Sequence, residues 1–173
     1  MGRYRPPPPP RSNYITPEGA AALDRELKEL WRVQRPAVTR AVAEAAAQGD
    51  RSENAEYIYG KKQLAEIDRR VRYLRKRLDS VRIVDQQPAE ATKIFFGVWF
   101  ELEGPDEATQ SFRLVGPDEF DHAPRYLSMD SPLGKAVLGK SLDDEVVVNT
   151  PTGSTRYTVV RISYTQPAAD ANK

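Results

Sequence analysis

The residues best suited to chemistry lie in the stretch Gly49-Asp50-Arg51-Ser52-Glu53-Asn54. Two carboxylates stand three residues apart there, directly before a long apolar-periodic segment. Carboxylates at that spacing at a helix start can point the same way. Such a pair can lend oxygen ligands to a divalent cation and leave other positions to water or substrate. It can also orient a nucleophilic water. Two side chains are too few to hold Mg²⁺ well, since that ion takes about six oxygens, so the remaining ligands would come from a partner. The same spacing also reads as a capping box, in which Asp50 and Glu53 only satisfy orphan amides and favour the helix dipole.

The elements flanking the acidic pair are helical. Thr16-Pro17-Glu18 predicts a helix start, with Thr16 as N-cap and Pro17 at the first helical position. Ala20, Leu23, Leu27, Leu30, Val38, Val42 and Ala45 form an apolar stripe at helical spacing. Pro36 interrupts this stripe, which predicts one bent helix rather than two, ending near Gly49. Tyr57, Leu64, Ile67, Val71, Leu74, Leu78 and Val81 follow coiled-coil spacing, with Gly60 at the one open seam position. Two amphipathic helices with a short connection pack antiparallel. Each runs about 30 residues, which gives a projection about 45 Å long with its tip at residues 48–54. From spacing alone capping is the stronger reading; a cap needs no stalk of that length, which weakens it.

Beyond Gln86–Thr92 the pattern changes to short β-rich runs at Ile94–Leu102, Ser111–Val115, Arg125–Met129, Glu145–Asn149 and Thr155–Tyr164, separated by turn residues. Ser131-Pro132 followed by Leu133–Leu138 predicts a short capped helix. The fold class is α+β: an N-terminal antiparallel coiled-coil hairpin and a C-terminal antiparallel sheet domain. The boundaries read as a Pro-rich arm at 1–13, disordered or extended around the run Pro6–Pro10, the hairpin at 14–85, a linker at 86–92, the sheet domain at 93–165 and a tail at 166–173.

Composition narrows the function. The 173 residues include no Cys and one His, His122, which excludes disulfides, thiolate metal sites and clusters of several imidazoles. No apolar run approaches membrane-spanning length, and no signal-peptide core is visible, so a cytoplasmic protein with no membrane partner is expected. Residues 1–84 carry 18 Lys and Arg against 11 Asp and Glu, and residues 85–173 carry 8 against 14. The second helix concentrates Lys61, Lys62, Arg69, Arg70, Arg72, Arg75, Lys76, Arg77 and Arg82, a face suited to phosphate contact without base readout or to simple solvation. Trp31 and Trp99 read as packing residues, and His122 receives no role. Asp130-Ser131-Pro132 reads most simply as a helix cap.

The stretches ITPEG (15–19), LWRVQRP (30–36), GDRSENAEY (49–57), GKKQLAEIDRRVRYLRKRL (60–78), FFGVW (95–99), MDSP (129–132) and VVNTP (147–151) resemble the Gre family of transcript-cleavage factors, in its GreB-type branch. The resemblance runs from Tyr14 to Tyr164 and leaves out the Pro-rich arm. It implies a C-terminal domain similar to FK506-binding proteins that grips the rim of the secondary channel of RNA polymerase. It implies a hairpin that reaches down this channel to a backtracked nascent RNA 3′ end. Asp50 and Glu53 would help hold a Mg²⁺ shared with the polymerase and orient the attacking water, and the polymerase itself would cut the RNA. Arg51, Ser52 and Asn54 would contact the active centre. Lys61, Lys62, Arg69 and Arg70 would contact the extruded RNA, and Asp130, Ser131 and Pro132 would meet the channel rim.

On this reading the chain is not itself an enzyme, has no cofactor of its own and acts as a monomer. The alternatives are a regulator that enters the same channel and inhibits without inducing cleavage, and a peptidyl-prolyl isomerase suggested by the sheet domain's resemblance.

Overall fold

The computed structural model describes residues 10–48, 54–86, 92–150 and 153–165. The chain forms two compact units, one of residues 18–81 and one that combines the residues up to Pro17 with those from Arg82 onward.

In the helical unit, α1 (Pro17–Glu29) passes without a break into a π-helical stretch, Leu30–Gln34, and then into α2 (Arg35–Ala47). The expected proline irregularity therefore takes the form of a widened turn. Pro36 has no amide hydrogen, and its ring crowds the carbonyl four residues back. The amide of Arg35 instead reaches five residues back to the carbonyl of Leu30, and the helix continues. None of residues 30–34 is buried, so Trp31, expected to pack, lies 42% exposed.

The return arm is α3 (Ala55–Ser80), about 39 Å long at 1.5 Å per residue. Contacts advance along α2 as they retreat along α3: Arg35 pairs with Asp68 at 2.8 Å, and Val42 faces Gly60. The pair is therefore antiparallel. Gly60, Ile67, Val71 and Leu74 are the buried positions of α3, which is the seam predicted from spacing. Gly60 allows the arms to approach closely here, since a Cβ there would stand 2.6 Å from Cγ2 of Val42.

The other unit is built on a five-stranded sheet of β3 (Trp99–Glu103), β4 (Thr109–Val115), β5 (Tyr126–Ser128), β6 (Glu145–Thr150) and β7 (Gly153–Ser163). Its strand order is β5-β4-β3-β7-β6. The sheet is mixed and not wholly antiparallel as expected, because β5 pairs parallel to β4. The segment between them returns the chain to the sheet edge in the original direction, so β5 cannot form a hairpin with β4. Val98, Phe100 and Leu102, with Val146 and Val148, alternate inward and pack with Ile94, Leu114 and Val159 under α4 (Pro132–Val137). Residues 94–98, expected as the start of the first long strand, precede β3 as irregular backbone.

Two short strands, β1 (Tyr14–Ile15) and β2 (Arg82–Ile83), pair parallel at the ends of the helical segment. Residues 14–17 and 82–85 read as hairpin by sequence, yet they cluster with the sheet unit. Two-residue strands carry too little alternation to be visible as a pattern.

Candidate functional site

The sequence points to three places: the connection between α2 and α3, the exposed face of α3, and the start of α4. The helical ends that bracket the connection are tied together by Asn54. Its side-chain oxygen accepts from the amide of Tyr57 at 3.1 Å, and its side-chain nitrogen donates to the carbonyl of Ala45 at 2.8 Å. Asn54 is thus the N-cap of α3 and at the same time satisfies an orphan carbonyl in the last turn of α2. Asp50, Arg51, Ser52 and Glu53 lie outside the described residues. The capping duty that Asp50 and Glu53 could have held at the start of α3 falls to Asn54.

On α3, Lys61, Lys62, Arg69 and Arg70 are all exposed. They differ in their engagements. Arg70 forms a two-point bond with Glu26, Nε to Oε1 at 2.6 Å and Nη2 to Oε2 at 2.8 Å, and also lies over the ring of Tyr73. It therefore pins α1 to α3 as well as adding charge. Lys61 lies 5.4 Å from the ring of Tyr57. Further along, Trp31 sits under two guanidinium groups, Arg35 at 5.1 Å and Arg75 at 4.4 Å. Cations over an indole face are held in place while staying in water. Sequence reasoning missed Glu26, the contact of Lys61 with Tyr57 and the two guanidinium groups over Trp31. Their register across the hairpin is the signal that could have found them.

At α4, Ser131 is the N-cap, as expected: its oxygen accepts from the amide of Gly134 at 3.0 Å. Its hydroxyl also donates to the carbonyl of Ser128 at 2.7 Å. Pro132 takes the first helical position. Asp130 does not act as this cap. Its Oδ2 accepts from the amide of Ser12 at 2.8 Å, and its Oδ1 accepts from the Ser12 hydroxyl. Gly134 permits this turn to close, since a Cβ would meet the Ser128 carbonyl oxygen at 2.1 Å.

A second carboxylate, Glu119, escaped the sequence reading altogether. It is 1% exposed and accepts from the amides of Thr16 and Gly116, each at 3.0 Å, and from the Thr16 hydroxyl. It fastens the residue that precedes α1 to the turn after β4. In the sequence it looks like one more polar residue of a turn.

Among the described residues no group of three or more His, Cys, Asp or Glu side chains could hold a metal ion. No described helix is long and apolar enough to cross a membrane.

Family comparison covers both units. Residues 13–83 match the N-terminal transcription elongation factor model of GreA and GreB, and residues 88–164 match the C-terminal model of GreA/GreB transcription elongation factors. The class is thereby defined as a two-domain transcription elongation factor. The chain belongs to the GreA/GreB family.

Among its relatives, transcription elongation factor GreB of Yersinia pestis is 60% identical over 154 residues, 89% of this chain and 90% of the relative. GreB of Pseudomonas aeruginosa is 56% identical over 164 residues, 95% and 98% of the two chains. A solved GreA factor homologue of Thermus thermophilus is 27% identical, covering 88% of this chain and 99% of its own, with a TM-score of 0.41.

Proposed function

We propose that this elongation factor rescues backtracked RNA polymerase by stimulating the polymerase's own cleavage of the nascent RNA 3′ end, and that it delivers Asp50 and Glu53 through the secondary channel. The observation that carries the reading is Asn54. This one side chain caps α3 and ties its start to α2, so the N-cap of α3 does not call on the acidic pair in the neighbouring connection.

The donor set fits a shared ion and not a resident one. Two carboxylates fall short of the roughly six oxygens that Mg²⁺ takes, so Asp50 and Glu53 would complete a Mg²⁺ site whose other ligands belong to the polymerase. When bound, that ion supplies charge stabilisation for phosphodiester hydrolysis. The chain's own part is to position. Its carboxylates accept hydrogen bonds from the attacking water and align it. Arg51, Ser52 and Asn54 line the approach to the scissile phosphate. Lys61, Lys62 and Arg69, with Arg70 held by Glu26, meet the phosphates of extruded RNA. Asp130, Ser131 and Pro132 dock on the channel rim. The isolated chain is expected to cut no RNA and to bind Mg²⁺ only at about millimolar concentration or weaker, for want of further ligands.

The test is a stalled, backtracked polymerase carrying end-labelled RNA, scored for shortened transcripts after addition of this protein. Stimulated cleavage supports the reading. Binding without cleavage would instead make the chain an inhibitor of the same channel, and the acidic pair would then have another role.

A further inference from the structure

Residues 10–12, which belong to the sheet unit, are seated on its face that carries Asp130. A groove of about 540 Å³ is lined by Pro10, Arg11, Phe120, Tyr126, Ser131 and Lys135, among others. Two of these lining residues thus come from the chain's own stem. Polar contacts hold the stem. Arg11 Nη1 stands 3.8 Å from Oδ1 of Asp118, whose side chain is only 3% exposed. The Ser12 amide and hydroxyl bind the two oxygens of Asp130.

The chemistry of the seat matches its occupant. Pro10 closes a run of prolines, and proline has no amide hydrogen to leave unpaired against an apolar wall. Phe120 and Tyr126 line the same groove, and Phe120 is 53% exposed. Asp118 meets the cation that follows, and Asp130 meets the next two donors. By donating one bond to each carboxylate oxygen, Ser12 does what a guanidinium fork from a partner would do on the same edge.

We propose that Pro10–Ser12 is a resident strap on the docking face: the chain's own stem forms one side of the groove and occupies both carboxylate oxygens of Asp130, and the polymerase must displace the strap to engage Asp130. This inference rests on the reading, given above, that Asp130, Ser131 and Pro132 dock on the polymerase. It adds a competition for the same carboxylate. A partner that binds only the unstrapped form sees an affinity reduced by the fraction of molecules with the strap open.

The test uses the full chain and core RNA polymerase. An Arg11→Ala/Ser12→Ala variant loses the strap's side-chain donors and leaves every docking residue in place. If the strap is open about a tenth of the time, the variant binds polymerase with an apparent Kd about tenfold lower than the parent, while the cleavage rate at saturating factor stays the same. Equal or weaker binding by the folded variant overturns the strap, because a merely supportive stem would weaken docking when cut.

A second measurement needs no variant and decides the matter where the variant fails to fold. Hydrogen exchange on the parent chain should quicken at residues 10–13 and slow at residues 128–135 when polymerase is added. Slowing at 128–135 with no release at 10–13 overturns the strap alone. Absence of slowing at 128–135 overturns the docking reading, and the strap with it.

Discussion

The side chain of Asn54 bonds the carbonyl of Ala45 at 2.8 Å, joining the two helical arms at the end where the acidic pair lies in the sequence. The same amide caps α3 through Tyr57. Removing it with Asn54→Ala should cost about 1 kcal/mol of stability for the lost cap. A small displacement of catalytic groups is worth far more in rate than in stability, so cleavage should fall about ten- to a hundredfold while polymerase affinity holds. Asn54→Asp keeps the acceptor and loses the donor to Ala45, and should recover stability more than cleavage. Thermal unfolding alongside the transcript assay separates the two; equal recovery of both would show that Asn54 only stabilises the helix.

Asp50→Ala and Glu53→Ala should each lower stimulated cleavage by about 10² or more, the range for loss of a group that positions or activates water. Binding to polymerase should change little, since Asp130, Ser131 and Pro132, the residues proposed to dock, lie in the other unit. Competition binding and single-turnover cleavage on the same preparations measure both. Full activity in the folded double variant would remove the carboxylates from the mechanism.

Neutralising Lys61, Lys62 and Arg69 should slow cleavage of long extruded RNAs more than release of dinucleotides, and the difference should shrink as salt rises, because each phosphate contact releases counterions. Arg70 must be treated separately, since Arg70→Ala also breaks the two-point bond to Glu26. Glu26→Gln is the control: it weakens the pin and spares the cation. A loss shared equally by short and long RNAs, and indifferent to salt, would leave these side chains as a solvated face.

Glu119→Ala should destabilise the sheet unit by about 2–5 kcal/mol, since it strips the acceptor from two buried amides and a hydroxyl, each worth about 1–3 kcal/mol when left unpaired. Denaturant unfolding measures it. A change under about 0.5 kcal/mol, the range of ordinary surface substitutions, would mean that water replaces the carboxylate without cost.

The sequence by itself determined the periodic features. The seam of α3, the glycine at position 60, the cap at Ser131 and the five β-rich runs follow from spacing that is local and repeated, and local spacing reports directly on which face is buried. It also displayed the acidic pair and the basic face, because their chemistry depends on residue type.

What it left open depends on partners far along the chain. The parallel pairing of β5 with β4, the two-residue strands β1 and β2, the bond from Ser12 to Asp130 across 118 positions and the burial of Glu119 against Thr16 across 103 have no period to read. Pro36 announced an irregularity, yet only the helix itself decided that it would be met by a π-turn at Leu30–Gln34, in which Trp31 lies within reach of two arginines. Asn54 looked like a flank of the acidic motif and proved to be the cap. Which of several neighbouring polar residues takes a helix end is settled by the carbonyl waiting across the hairpin, and tertiary packing alone brings that carbonyl within reach.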